Sequence, residues 1–382
     1  MKFALHTAAL AGILGATTAQ AQNLRVIPLG SLGGQSAAWA FDGVGRVVCV
    51  SATEPKSNLF HPMLSDGTNV QDLGVLPGTT NAFGFAASGD TIFGMSYSFQ
   101  DLTIRALRWQ NGVMGTIGDF APRGANESGQ VVGFLNAIVG TLRVEHACLW
   151  SAGTLTDLGT LGGNHSWGYD INAAGWIVGS SMLARDAQSR ACLWVNGVPR
   201  DLGTLGGADG QAYAINNPGV VVGWSKTSSG EKHATAWNLD ASGNVLSRTD
   251  LGLLAGWSYA YGVNHAGDIV GTSNSKAVVW RGGVITDLNT TIMPGSGWRL
   301  DVASAIDDLG RICGWGTLDG MPMAYLLVCR ADFNGDGAID FFDYDAFVVA
   351  FEAGAPGADF DGDGAIDFFD YDAFVRAFEA GC

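Results

Sequence analysis

The chain has 382 residues, 36 acidic against 20 basic, a formal net charge of −16 and 47% hydrophobic residues. Residues 331–382 hold eleven Asp, two Glu and one Arg, so twelve of the sixteen net charges sit in the tail and only four in everything before it. That balance disfavours an ordinary nucleic-acid-binding role, and no later apolar run approaches the roughly 20 residues needed to span a bilayer.

In chain order, Lys2, the apolar run from Ala8 to Gly15 and Ala19-Gln20-Ala21 have the layout of a secretory signal peptide over residues 1–21. The expected location of the mature chain is secreted, extracellular or attached to a cell surface. From residue 24 to 290 one motif keeps returning. PLGSLGG at Pro28, DLGVLPG at Asp72 and MGTIGDF at Met114 are followed by DLGTLGG twice, at Asp157 and Asp201, then DLGLLAG at Asp250 and DLNTTIM at Asp287. The steps run from 37 to 49 residues, and a period in the forties means a stacked or closed array.

Two further markers subdivide each repeat. A Gly leading an apolar triplet stands at Gly45, Gly89, Gly129, Gly175, Gly219, Gly267 and Gly310, and three residues before it stands Asp42, Ala86, Asn126, Asn172, Asn216, Asn264 or Asp307. Asx at the first and Gly at the fourth position composes a type I turn, so this marker predicts a hairpin. An apolar run ends in Trp109, Trp150, Trp194, Trp237 or Trp280, with variants at Met63 and Met323. Each repeat therefore offers four short strands, the signature of a propeller blade. The seventh repeat lacks its fourth strand, whereas Leu24 to Leu29 supplies an extra one at the start. The expected fold class is all-β: a seven-bladed β-propeller over residues 22–330, closed by the N-terminal strand so that no sheet edge is left open. An open β-solenoid is the alternative.

Six cysteines allow three disulfides in fifteen connectivities. Cys148 and Cys192 hold the same place in successive repeats, too far apart to bridge, and Cys313 with Cys329 is the expected pair.

The pattern from His146-Ala-Cys-Leu-Trp150 through DLGTLGG to Ile171-Asn172 resembles the extracellular HAF repeat family, and the resemblance covers residues 28–326. It implies a secreted repeat protein and little about activity.

Four residues before the Trp marker stand His61, Arg105, His146, Arg190, His233, Lys276 and Met321. Six bases in a ring would suit an anionic ligand. His146, Arg190 and Lys276 each precede Asp157, Asp201 or Asp287 by eleven residues, however, which sets them opposite each other in a tight hairpin as cross-strand ion pairs. Trp39, Phe83, Arg123, Tyr169, Tyr213, Tyr261 and Ser304 share another repeat position. They read as bulky wedges between blades, with a stacking platform for sugars as the other reading. Trp167, Trp257, Tyr259 and Trp298 break the repeat and are placed in loops, where binding residues collect on rigid scaffolds. They are the candidate contacts for a carbohydrate or protein ligand. No nucleophile elbow, phosphate loop or zinc helix motif occurs, so no catalytic residue is assigned.

The tail carries the sharpest chemistry. Asp332, Asn334, Asp336, Asp340 and Asp343 occupy positions 1, 3, 5, 9 and 12 of a loop with Gly337 at 6; Asp359, Asp361, Asp363, Asp367 and Asp370 repeat it with Gly364, 27 residues on. Calcium takes six to eight oxygen ligands, and the carbonyls of Ala338 and Ala365 at position 7 complete the set, so two calcium ions are expected. Each loop runs into a short helix, with Phe347 and Phe351, then Phe374 and Phe378, on one face. Duplicated loop-helix units without a preceding helix resemble a type I dockerin over residues 331–382. That resemblance implies attachment to a surface scaffold or cohesin-like protein. Positions 10 and 11 are Phe341-Phe342 and Phe368-Phe369, where typical dockerins carry small hydroxyl residues for partner recognition. The final Gly381-Cys382 resembles the Gly-Cys end of dockerin-type surface-sorting tails. Together these features describe a secreted or cell-surface binding and display platform. A dockerin-borne polysaccharide hydrolase or lyase with its site at the propeller mouth is the alternative.

Overall fold

The structure, a computed structural model, describes residues 24–97 and 103–381. The signal-peptide reading of residues 1–21 and the terminal Cys382 lie outside the described residues. Among the described residues no helix is long and apolar enough to cross a membrane.

The strands assemble into seven four-stranded antiparallel sheets, the blades of a propeller. Blade 7 is completed by the N-terminal strand β1 (Leu24–Pro28), which pairs with Met321–Cys329 from Leu24 opposite Cys329 to Pro28 opposite Tyr325. Blade 1 is built from β2 (Ser36–Phe41), β3 (Val47–Ala52), β4 (Phe60–Ser65) and β5 (Val70–Asp72). Burial peaks at the second strand: β3, VVCVSA, is buried at every position, the innermost β2 only in part, and β5 is exposed throughout. A strand covered on both faces reads as a continuous apolar run, which is why the triplet after the turn Gly is the strongest strand signal. Blades 2 to 6 span residues 82–118, 121–157, 162–201, 206–250 and 258–287, and the first three strands of blade 7 span 298–329.

The DLGTLGG motif links one blade to the next. In the first copy Asp157 Oδ1 accepts the Gly159 N–H (2.8 Å), Leu158 is buried between blades, and Thr160 Oγ1 donates to the Gly163 carbonyl (2.7 Å). Gly163 already belongs to the first strand of blade 4, where a Cβ would lie 2.5 Å from the Leu183 carbonyl. The Trp of the following blade caps the motif. Trp109, Trp194 and Trp237 are buried and donate Nε1–H to the carbonyls of Leu73, Leu158 and Gly203 at 2.8, 3.0 and 3.2 Å. These indoles are the wedges between blades, the role the sequence reading gave to the Trp39 to Ser304 series.

That series sits elsewhere for a physical reason. Each innermost strand carries a β-bulge at this position: Trp39, Phe85, Arg123, Tyr169, Tyr213, Tyr261 and Ser304 each fall in a register shift between two paired neighbours. The extra residue turns its side chain out of the ladder and into the central channel. In six blades the next strand faces the bulge with Gly; a Cβ on Gly179, for example, would collide with the Trp167 carbonyl. In blade 2 the hairpin closes through Gly89 and Asp90, with Ser88 opposite Thr91, so the channel residue is Phe85 rather than Phe83.

The Asx turns form as expected in the other six blades and also tie blades together. Asn126, Asn172, Asn216 and Asn264 donate from Nδ2 to the carbonyl of Asn172, Asn216, Asn264 and Asp307, at 3.0, 3.3, 2.8 and 3.3 Å. An amide can do this because it keeps Oδ1 for its own turn while its NH₂ reaches the neighbour. Asp42 and Asp307 have no such donor and instead hold Arg46 and Arg311.

Cys313 and Cys329 do not bridge. Cys313 is a free, fully buried thiol in the core between blades 7 and 1, opposite Leu326, while Cys329 is disulfide-bonded elsewhere. Three residues of strand separate Leu326 from Cys329, roughly 10 Å at about 3.3 Å per residue, beyond the reach of a disulfide. Cys49, Cys148 and Cys192 are also free and buried, and burial pushes each thiol well above its ordinary range.

One carboxylate is unusual. Asp170 follows the bulge of blade 4, where most other blades have Ala or Gly, and accepts backbone N–H from Ile171 (2.8 Å) and from Ile215 of blade 5 (2.9 Å). Burial pushes it up to about 6 despite those bonds. Its folded value lies above its unfolded one, so the folded state binds the extra proton and stability rises as pH falls from above 6 toward 4. The expected contribution, discounted for partial exposure, is on the order of 1–2 kcal/mol. Thermal melting of wild type against Asp170→Asn between pH 7 and 4.5 should show wild type gaining on the variant; parallel profiles would refute the assignment.

Candidate functional site

Two places in the molecule concentrate chemistry: one mouth of the channel and the paired acidic loops. The bulged residues converge on a cavity of about 460 Å³ lined by Trp39, Phe85, Arg123, Tyr169, Tyr213 and Tyr261, with Val302, Ser304 and Trp315 of blade 7. The rings form a run around the wall: Tyr169 to Tyr213 at 5.5 Å, Tyr213 to Tyr261 at 5.3 Å, and Trp39 to Phe85 at 6.0 Å. Among the described residues no carboxylate lines this mouth, and Asp170 is the one in the adjoining stretch of channel. The opposite mouth is polar, built from the Asx turns; there Asp42 is held by Arg46 and Asp308 accepts the His265 N–H at 2.7 Å.

The four aromatics assigned from sequence to loops separate into three environments, and only Trp257 is in a loop. Tyr259 lies on the first strand of blade 6, stacks on Tyr261 (6.1 Å) and meets Trp257 (5.1 Å), so this pair extends the channel aromatics outward. Lys232 sits over Trp224 at 4.5 Å beside them. Trp167 lies on the first strand of blade 4, stacked on His165 and donating Nε1–H to Glu145 (2.6 Å). Trp298 opens the first strand of blade 7 and packs edge-on against the buried Tyr325. Three of the four are thus strand residues.

Phe85, Arg123, Trp315, Trp224 and Lys232 were not singled out as ligand contacts. The signal that marks Phe85 and Arg123 is local: each bulge residue stands between two small or turn-forming neighbours, as in Ala38-Trp39-Ala40, Gly84-Phe85-Ala86 and Ala212-Tyr213-Ala214. Strands crowd near the axis, so a large side chain there can only point into the channel.

Five of the six bases of the ring are held in ion pairs, and Arg105 has none among the described residues. His61, His146, Arg190, His233 and Lys276 meet Asp72, Asp157, Asp201, Asp250 and Asp287 at 2.9, 2.8, 3.8, 2.7 and 2.8 Å. The pairing is diagonal rather than directly opposite: Asp157 faces Cys148, two residues along from His146.

In the tail, α1 (Phe341–Glu352) and α2 (Phe368–Ala380) follow the two loops, with Asp340 and Asp367 as N-caps in capping boxes closed by Asp343 and Asp370. The helices pack through Phe347 and Phe374, parallel within 4° at 4.1 Å, inside a core drawn from residues 329–378 alone. Asp343 and Asp370 are fully buried. Asp370 accepts N–H from Phe360, Asp361 and Asp367 at 2.6, 3.0 and 2.8 Å, and Asp343 from Asn334 and Asp340 at 3.0 Å each. The carboxylates of Asp359, Asp361 and Asp363 approach within 4.8 Å of one another. Partial burial raises the Asp332 carboxyl above its ordinary range against hydrogen bonds from Gly337 and Gly335, with Asp343 and Asp336 adding repulsion. Crowded, oxygen-only and strongly anionic, this donor set fits a hard divalent cation.

No family model matches the chain and no curated protein matches it. Solved structures do. TolB from Acinetobacter baumannii is 13% identical with a TM-score of 0.40, covering 69% of this chain and 63% of its own, so the chain spans less than two thirds of that protein. A putative TolB from Agrobacterium tumefaciens is 11% identical at 0.40, covering 80% and 96%. The β-propeller domain of the Trilobed protease from Pyrococcus furiosus is 9% identical at 0.37, covering 69% and 98%. Likeness at this level concerns the propeller architecture alone, on which unrelated functions are built.

Proposed function

We propose that the chain is an exported ring-shaped binding and display platform, held on a surface or partner scaffold by a calcium-dependent, dockerin-like tail. The observation that carries this reading is the tail's construction: a two-helix unit with its own core, two acidic loops, and buried position-12 carboxylates. Asp332, Asn334, Asp336, Asp340 and Asp343 with the Ala338 carbonyl would hold one ion, and Asp359, Asp361, Asp363, Asp367 and Asp370 with the Ala365 carbonyl a second. Bound calcium supplies the positive charge that lets these carboxylates crowd together. The chain's own contribution is to pre-orient Asp343 and Asp370 through backbone N–H groups and to anchor each helix. Phe341, Phe342, Phe368 and Phe369 are each at least 67% exposed, giving the tail an apolar face for a partner.

Among the described residues no carboxylate lines the aromatic mouth and only Asp170 lines the adjoining channel, which supports a binding role there over paired-acid hydrolysis, a reaction that needs two carboxyl groups across the substrate. A screen of the full chain against glycans and polysaccharides, reading both binding and products, tests this. Binding without cleavage, retained by a chain ending at residue 330, is the expected result; release of products would replace the platform reading with that of a polysaccharide hydrolase or lyase.

A further inference from the structure

We propose that the aromatic mouth of the channel binds a small ring-bearing monocarboxylate, with Arg123 as the anchor for its carboxylate. The inference rests on reading the propeller as a ligand-binding platform and names its site and ligand class.

Arg123 is the arginine that lines the channel cavity, and it differs from the arginines held in ion pairs. Arg46, Arg190, Arg281, Arg299, Arg311 and Arg376 each have a carboxylate within 4.0 Å. Arg123 has no ion pair by that measure among the described residues; its guanidinium lies over Phe85 at 4.3 Å and Phe134 at 5.4 Å. The rings hold it in place and leave its N–H edges free, because a cation over a π face satisfies charge but no directed hydrogen bond. Burial lowers its basicity, while Tyr169 and Glu145 act at longer range to keep it charged. Glu145 is itself engaged by Trp167. A desolvated fork of donors with no acceptor is suited to bidentate carboxylate recognition.

The rest of the cavity defines the body of the ligand. Among the described residues Arg123 is the only charged group lining it, and Asp170 lies in the adjoining stretch of channel, so a second negative charge would be repelled rather than paired. Trp39, Phe85, Tyr169, Tyr213 and Tyr261 offer flat apolar faces at ring spacing. On blade 7, across the channel from blade 3, the buried Ser304 Oγ has no hydrogen-bond partner. A buried hydroxyl without a partner is costly and calls for one. One carboxylate, one ring and a hydroxyl on the far side of that ring answer all three features, and the cavity of about 460 Å³ is within the range of small-ligand sites. A sugar acid and a hydroxylated aromatic acid share this chemistry.

The test is titration of the full chain, in calcium-containing buffer, with glucuronate, para-hydroxybenzoate and neutral methyl glucoside, followed by calorimetry and saturation-transfer NMR. At least one carboxylate should bind, with Arg123→Gln weakening it by about tenfold or more and Arg123→Lys by less. Glucuronate alone would identify the sugar acid, para-hydroxybenzoate alone the aromatic one, and both together the carboxylate anchor they share. Without ligand, Arg123→Gln should melt no lower than wild type, because it removes an unpaired buried charge; a large drop would make Arg123 a structural residue and overturn the proposal. Equal binding by wild type and Arg123→Gln, or no binding of either carboxylate, would also overturn it. Should the neutral glycoside bind when the acids do not, the platform reading stands and this inference fails.

Discussion

Chelating calcium, or replacing Asp343 and Asp370 together by Ala, is expected to unfold residues 331–381 while the seven blades stay folded. The tail packs eleven Asp into about fifty residues, and Asp343 and Asp370 are fully buried in it. Unscreened, those charges oppose the compact form; the six-residue core around Phe347, Phe360 and Phe374 is small and works against that repulsion alone. Ligand linkage sets the scale, with calcium at a hundred times its dissociation constant adding about 2.7 kcal/mol per site. The helical circular-dichroism signal and the near-ultraviolet signal of the packed Phe and Tyr rings should disappear together, and the main thermal transition should not move. Helices that persist in chelator would remove calcium from the account of this tail. The variant and the chelator should have the same effect, since both leave the loops without a neutralised site.

Deleting residues 24–29 is expected to destabilise the propeller more than any single surface change, because it reopens the ring at blade 7. β1 fills the outer position of that sheet, Leu24 enters the core shared by blades 6 and 7, and Leu29 is fully buried in the core shared by blades 7 and 1. Losing these two side chains with part of Val26 and Ile27 removes roughly 5 kcal/mol of apolar burial at about 1.5–3 kcal/mol per buried side chain, and leaves the Met321–Cys329 strand as an unpaired edge. Leu29→Ala isolates one component and should cost about 2–4 kcal/mol by leaving a cavity. Denaturant unfolding measures both. A deletion variant with unchanged midpoint would mean that blade 7 is stable as a three-stranded sheet.

Asx turns, buried apolar triplets, Trp runs and DLG motifs each rest on interactions among residues close in sequence. Their order therefore predicted seven four-stranded blades, and the count of strand types assigned Leu24 to Leu29 to the last blade. The tail was legible for the same reason, since a calcium loop and the helix after it are encoded within about twenty residues. Reading Trp39, Tyr169, Tyr213 and Tyr261 as wedges failed because a bulge changes the face on which a side chain emerges. Whether a strand bulges depends on the strand paired across from it and on crowding at the axis. Cys313 and Cys329 share one repeat, but antiparallel register separates them, and register is a property of the paired strands. Local sequence thus determined which elements form, because their energies are local. The tertiary structure alone decided which side chains face the channel, which leaves Arg123 without a carboxylate beside Phe85 and Phe134 and places Ser304 on the same cavity, since those neighbours come from strands far apart in the chain.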